Sequence, residues 1–129
     1  MKFIKKILIL GFHTVNLTVI IFYLYPGSIL GSLIYDNSSI QPQLTRNFVV
    51  SSNHLYVFII LSTLGIIAYQ KTQNIKIVIV YLFLLSIILE LLHFIIPNRG
   101  FEISDLFGNI AGVLFVIIIF KIKDKYAQN

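Results

Sequence analysis

The stretch LLSIILELLHFIIPNRGFEISDLFGNIAG, residues 84–112, begins as a uniformly apolar run and then places Glu90, His93, Arg99, Glu102 and Asp105 inside it or just beyond it. Its first half reads as the end of a membrane-spanning helix and its second half as the start of another, with a Pro-containing turn between them. At helical spacing Glu90 and His93 lie on one face, which Pro97 continues. Glu90 stands seven residues before Pro97, or about 10 Å of helix below the turn. A carboxylate within hydrocarbon costs roughly 2.5–3.5 kcal/mol on insertion scales at the bilayer centre, so Glu90 requires a partner.

The whole chain supports the membrane reading. Of its 129 residues, 57% are hydrophobic and 12% charged, and the mean hydropathy is +0.90. A soluble chain of this length could not hide that much apolar surface. The expected fold is all-α: an integral membrane four-helix bundle forming a single domain over residues 1–129. There is no cysteine, which excludes disulfides, thiolate catalysis and cysteine-ligated zinc. The net charge of +5 comes from lysines flanking apolar spans, so no nucleic-acid partner is expected.

Four spans are drawn at about 4–25, 54–69, 75–96 and 106–122. A helix crossing about 30 Å of hydrocarbon needs around 20 residues, so the first and third fit easily while the second and fourth lie near the lower limit. The opening MKFIKKILIL is basic and then apolar, but the run is too long for a cleaved leader and is read as a retained first span. Eight lysines flank the ends assigned to the cytoplasm, whereas Arg46 and Arg99 fall in the other two loops. The positive-inside rule then puts both termini in the cytoplasm. It also gathers His54, Glu90, His93, Arg99, Asp105 and Asn109 near the outer face. His13 and Asn16 belong to a different depth.

The remaining polar pattern is open to two readings. Asp105, Asn109 and Gly112 form one stripe on span four, and Gly108 with Gly112 makes a small-xxx-small pair suited to close helix packing. Ser104 is a candidate N-cap with Asp105 complementing the helix dipole, and Ser51, Ser52 or Asn53 can cap span two. The polar residues either satisfy one another between helices or form a site. Between spans one and two, residues 26–53 form a loop of 28 residues. Its SILGSLIY portion is too short to span and too apolar to float, so an interfacial or re-entrant segment is expected over the bundle mouth. The following DNSSIQPQLTRN reads as turn and coil.

Glu90-x-x-His93, Pro97-x-Arg99, and then Asp105, Asn109 and Gly112 resemble the signature of the VanZ-like membrane family. HLYVF, residues 54–58, is similar to that family's His-Phe-x-Ala-Tyr element, with Leu55 and Phe58 at the aromatic positions; Val50 and Ser51 stand where the family usually has an Asp-Lys pair. The resemblance covers roughly residues 51–120. It implies a multi-span protein of the bacterial cytoplasmic membrane, and the family name, from a member linked to glycopeptide (teicoplanin) resistance, points to the cell envelope. It supplies no reaction.

The expected function is binding or modification of a lipid head group or a lipid-linked cell-wall or glycan intermediate. In this reading Arg99 contacts phosphate, Glu90 and His93 form an acid/base pair, and Asp105, Asn109 and His54 complete the site. The competing expectation is a non-catalytic accessory or assembly subunit with a membrane-protein partner. Imidazole and carboxylate are suitable metal ligands, but no metal and no cofactor are assigned. Neither a His-Glu-x-x-His motif nor a phosphate-cradling Gly-rich loop is present.

Overall fold

The structure is a computed structural model describing residues 2–127. Met1, Gln128 and Asn129, which the one-domain expectation included, lie outside the described residues. The elements are α1 (Lys2–Leu24), α2 (Ile29–Tyr35), α3 (Ser52–Tyr69), α4 (Ile75–Leu91), a 3-10 turn (Leu92–Phe94) and α5 (Ile103–Ala127), with no strand among the described residues. The all-α expectation holds. Phe3–Leu24, Ser52–Tyr69, Ile75–Phe94 and Ile103–Ala127 are each long and apolar enough to cross a membrane, making this a multi-pass membrane protein.

The side-chain distribution is that of a bundle solvated by hydrocarbon. Phe12, Phe58, Leu61, Leu82, Leu89 and Val113 are buried between helices. Yet Leu10, Leu17, Ile77, Val80, Phe115 and Ile118 are exposed on the outside, where a water-soluble bundle would carry polar residues. Apolarity therefore does not distinguish inside from outside here; small residues and polar partners do.

Helix α3 sits against α1, α4 and α5, and its contact with α5 is the most extensive. Glycine makes that contact possible. A Cβ on Gly108 would come within 2.7 Å of the Ser51 carbonyl oxygen, and one on Gly112 within 2.7 Å of the Leu55 carbonyl oxygen and 2.8 Å of Phe58 Cβ. The N-terminus of α3 is stitched to that of α5 by the Ser51 N–H, which donates to the Ser104 carbonyl at 3.1 Å.

Several helix ends differ from the sequence expectation. Helix α4 stops at Leu91 and tightens into the 3-10 turn, so Pro97 does not continue the Glu90–His93 face. Helix α5 begins at Ile103, ahead of the expected 106, and the Asp105 and Leu106 N–H groups donate to the Glu102 carbonyl; Glu102, rather than Ser104, holds the cap position. Its other end continues past 122 to Ala127, because Lys and Ala sustain a helix beyond the apolar run. Ser51 takes the N-cap position of α3 without making a side-chain cap bond.

The loop after α1 folds back over the start of α3. Ser28 caps α2, its Oγ accepting from the Gly31 N–H at 2.9 Å, and Asp36 closes that helix in the left-handed region at φ 55°. Residues 37–50 carry no helix or strand. They supply the partners that the first turn of α3 lacks: Asn47 Oδ1 accepts from the Ser52 N–H at 3.1 Å, the Thr45 carbonyl accepts from Ser52 Oγ at 2.8 Å, and the Pro42 carbonyl accepts from Asn53 Nδ2 at 2.7 Å.

Replacing Gly112 by Ala forces a methyl into the α3 backbone, and overpacking of this kind costs about 1–3 kcal/mol. Gly112→Ala is expected to lower the thermal unfolding midpoint in detergent and the yield of folded protein. Gly100→Ala, with nothing within 4 Å of the added carbon, leaves both close to the parent values.

Candidate functional site

The end of α1, the start of α3, the end of α4 and the start of α5 meet at one end of the bundle, and nearly every polar residue singled out in the sequence lies there. Glu90 is wholly buried at 0% exposure and His93 nearly so at 3%. Glu90 Oε1 lies 3.2 Å from His93 Nδ1 and accepts from the Glu102 N–H at 3.1 Å. Glu90 Oε2 has no hydrogen-bond partner among the described residues.

The other side of the His93 ring constrains the protons. His93 Nε2 lies 3.1 Å from the Tyr23 carbonyl, which can only accept, so Nε2 carries a hydrogen. Nδ1 and Glu90 Oε1 then share one further proton, either as an ion pair or as a neutral pair. Both nitrogens of the ring are thus engaged.

The second His–carboxylate pair lies on α3 and α5. His54 Nδ1 is 2.8 Å from Ser51 Oγ and 3.4 Å from Asp105 Oδ1. Ser51 therefore holds the His54 ring where an N-cap serine would ordinarily hold a backbone N–H. Between the two pairs lies Asn109, fully buried, whose Oδ1 accepts from Tyr23 Oη at 2.6 Å and whose Nδ2 donates to the Ser86 carbonyl at 3.2 Å. One amide thus ties α1, α4 and α5 together.

Arg99 turns toward the end of α1. Its Nη2 donates to the Phe22 carbonyl at 2.7 Å and its Nε to the Tyr25 carbonyl at 3.2 Å, capping carbonyls that α1 leaves unsatisfied. The His–carboxylate contacts among the described residues are His54–Asp105 and His93–Glu90, and Arg99 forms no salt bridge with Asp105 or Glu90. Partial burial lowers the Arg99 pKa from its ordinary value, opposed by Tyr23, Glu90 and Asp105 nearby. The guanidinium remains a cation.

Two cavities open beside this network. The first, about 310 Å³, is walled by polar side chains including Gln43, Ser51, Asn98, Arg99, Glu102 and Asp105. The second, about 120 Å³, is lined mainly by apolar surface from Phe22, Tyr23, Ile29, Leu30 and Val57. Both are bordered by Ser28, Gln41, Asn53, His93 and Arg99, so a head-group-sized polar space adjoins a narrow apolar one. Glu90 lines neither.

Tyr23 is the member that sequence reading missed. Its ring stacks on His93 at 5.7 Å and meets His54 edge-on at 5.3 Å. Its position was available from topology, since the end of span one must share a face with the start of span two, but an aromatic at a span end ordinarily reads as an interfacial anchor. The Ser86 carbonyl also escaped notice, and Ser51, expected only as a cap of span two, has its hydroxyl on the His54 ring. His13 and Asn16 lie elsewhere, hydrogen-bonded to Tyr69 and Tyr81 respectively.

The VanZ/LLP1 family model matches residues 10–124, nearly the whole chain and all of the helices that build this network. The chain belongs to the VanZ/LLP1 family. No curated protein and no solved structure matches it. Membership of the VanZ/LLP1 family agrees with the resemblance drawn from Glu90, His93, Pro97, Arg99, Asp105, Asn109 and Gly112.

Removing the Tyr23 hydroxyl leaves a buried amide oxygen without its donor, a change that costs about 1–3 kcal/mol. Tyr23→Phe is expected to destabilise the detergent-solubilised protein by that amount in a thermal or chemical unfolding series, although it deletes only one atom.

Proposed function

We propose that this VanZ/LLP1 protein binds an amphipathic lipid with an anionic head group at the polar end of its bundle, with the head group in the larger cavity and the first part of a chain in the apolar one. The single observation carrying this reading is the adjacency of the two cavities, which share Arg99, His93, Asn53, Gln41 and Ser28 on their common border. Arg99 is a cation at that border; its Nε and Nη2 are held by the Tyr25 and Phe22 carbonyls, so a phosphate oxygen would be met from the Nη1 side of the guanidinium. Lipid-linked cell-wall or glycan intermediates fit this chemistry, and a role in glycopeptide resistance would follow from sequestering or altering one of them. Binding ranks ahead of reaction: both His93 nitrogens are engaged and Glu90 lines neither cavity, so an acid/base role for the pair requires the ligand to displace the Tyr23 carbonyl.

In the same proposal the polar end faces outward from the bacterial cytoplasmic membrane, both termini are cytoplasmic, and α2 with its exposed Leu33, Ile34 and Tyr35 rests in the membrane interface over the mouth. The chain has no native cysteine, so single replacements report topology directly. In intact cells a membrane-impermeant maleimide is expected to label Ser39→Cys and to leave Thr72→Cys unlabelled until the cells are opened. The reverse pattern would overturn the orientation.

An accessory or assembly role is favoured by a different observation: most polar groups at this end satisfy one another across the helices, as an interhelical lock would. Adding a polyprenyl phosphate to delipidated protein and measuring retention by native mass spectrometry separates the two. The lipid-site reading expects Arg99→Lys and Gln41→Leu each to weaken retention about tenfold with folded yield preserved. Retention unchanged in both variants would sink it, and loss of folded protein in place of retention would favour the lock.

A further inference from the structure

We propose that His54, Glu90 and Asp105 form a divalent transition-metal site, with zinc the best-suited occupant. One ring nitrogen of His54 and one carboxylate oxygen from each of Glu90 and Asp105 lie within 4.8 Å of one another. They come from α3, α4 and α5, so the grouping does not follow from local spacing in the chain. An imidazole with two carboxylates suits zinc, which takes nitrogen and oxygen ligands at about 2.0–2.2 Å; magnesium prefers an all-oxygen, largely hydrated shell.

A second observation points to an occupant. Glu90 is at 0% exposure, its Oε1 is taken by His93 and the Glu102 N–H, and its Oε2 is buried with no hydrogen-bond partner among the described residues. An unsatisfied buried carboxylate oxygen is costly, and groups of this kind are rare in folded proteins. The cation nearest at hand does not supply the partner, because Arg99 directs Nη2 and Nε to the Phe22 and Tyr25 carbonyls. All three ligand residues are anchored by neighbours: Ser51 holds His54, Ser104 Oγ lies 3.4 Å from Asp105 Oδ1, and His93 with the Glu102 N–H holds Glu90 Oε1. Three protein ligands leave a further coordination position, the arrangement that reactive zinc sites use.

The ion would also resolve a charge conflict in the lipid-binding reading, on which this last step rests. The polar cavity is walled by two carboxylates, Glu102 and Asp105, against one guanidinium, Arg99. A phosphate entering that space meets more negative than positive side-chain charge. A divalent ion held by Asp105, itself part of the cavity wall, reverses the balance and gives a phosphate oxygen a second cationic contact beside Arg99.

The test uses full-length protein in detergent, stripped with a chelator and titrated with Co²⁺ as a spectroscopic stand-in for zinc, followed by Zn²⁺ competition. One Co²⁺ per chain is expected, with visible ligand-field bands that Zn²⁺ abolishes and a tenfold excess of Mg²⁺ does not. His54→Gln and Asp105→Asn should each weaken binding at least tenfold, while His13→Gln, outside the group, leaves it unchanged. Glu90→Gln serves as a third variant where either of the first two fails to fold. Absence of stoichiometric binding in the parent, or equal affinity in folded His54→Gln and Asp105→Asn, overturns the metal site. The two proposals fail separately: the titration contains no lipid, and polyprenyl phosphate retention that survives chelation while still depending on Arg99 would leave the lipid reading standing and remove the bridging role of the ion.

Discussion

The close approach of α3 and α5 is the constraint on which the rest of the structure depends. Hydrocarbon offers no hydrophobic force to push these helices together, so contact must come from shape and from polar bonds. Gly108 and Gly112 remove the two side chains that would hold the backbones apart, and the Ser51 to Ser104 backbone bond fixes the register at the mouth. That register brings His54 to 3.4 Å from Asp105 and places Asn109 between Tyr23 and the Ser86 carbonyl. A shift of one helical turn would leave a buried amide and a buried imidazole without partners. Packing and polar satisfaction therefore specify the same arrangement, and neither alone would suffice.

The fold was legible because membrane helices announce themselves by length and apolarity, and the four expected spans correspond to the four long apolar helices. Their ends were less legible. Apolarity marks where hydrocarbon lies, whereas a helix ends where its backbone finds other partners, as at the 3-10 turn after Leu91 or at the Glu102 carbonyl before α5. The meeting of Glu90, His93, His54, Asp105 and Asn109 at one end could be deduced by placing spans in alternating directions. The partner of each could not, since partner choice depends on helix rotation. Arg99 shows the difference: the sequence offers carboxylates as its natural partners, and the structure has it capping α1.

Glu90 is the residue whose meaning changed most. In sequence it is a carboxylate intruding into a span, and in the structure it is an ionisable group at 0% exposure, with one oxygen used and the other without a hydrogen-bond partner among the described residues. His93 and His54, which look equivalent in composition, differ as well. His93 is held at both nitrogens between α1 and α4, while His54 is held by its own cap serine and faces a carboxylate on α5. One histidine is built into the frame and the other is turned toward the space between helices.

The antiparallel course of the bundle has a further electrostatic consequence. At the polar end, α1 and α4 present C-termini while α3 and α5, the most extensively packed pair, present N-termini side by side, so the partially negative and partially positive helix ends are equal in number. Their fields oppose one another at that end of the bundle. Asp105 in the first turn of α5 and Arg99 at the end of α1 each offset the dipole of the end they occupy. In the lipid-binding proposal, the sign of what the cavity admits is then set largely by its charged side chains, Arg99, Glu102 and Asp105. Exchanging one charge at position 99, 102 or 105 could thus alter selectivity without any change of fold.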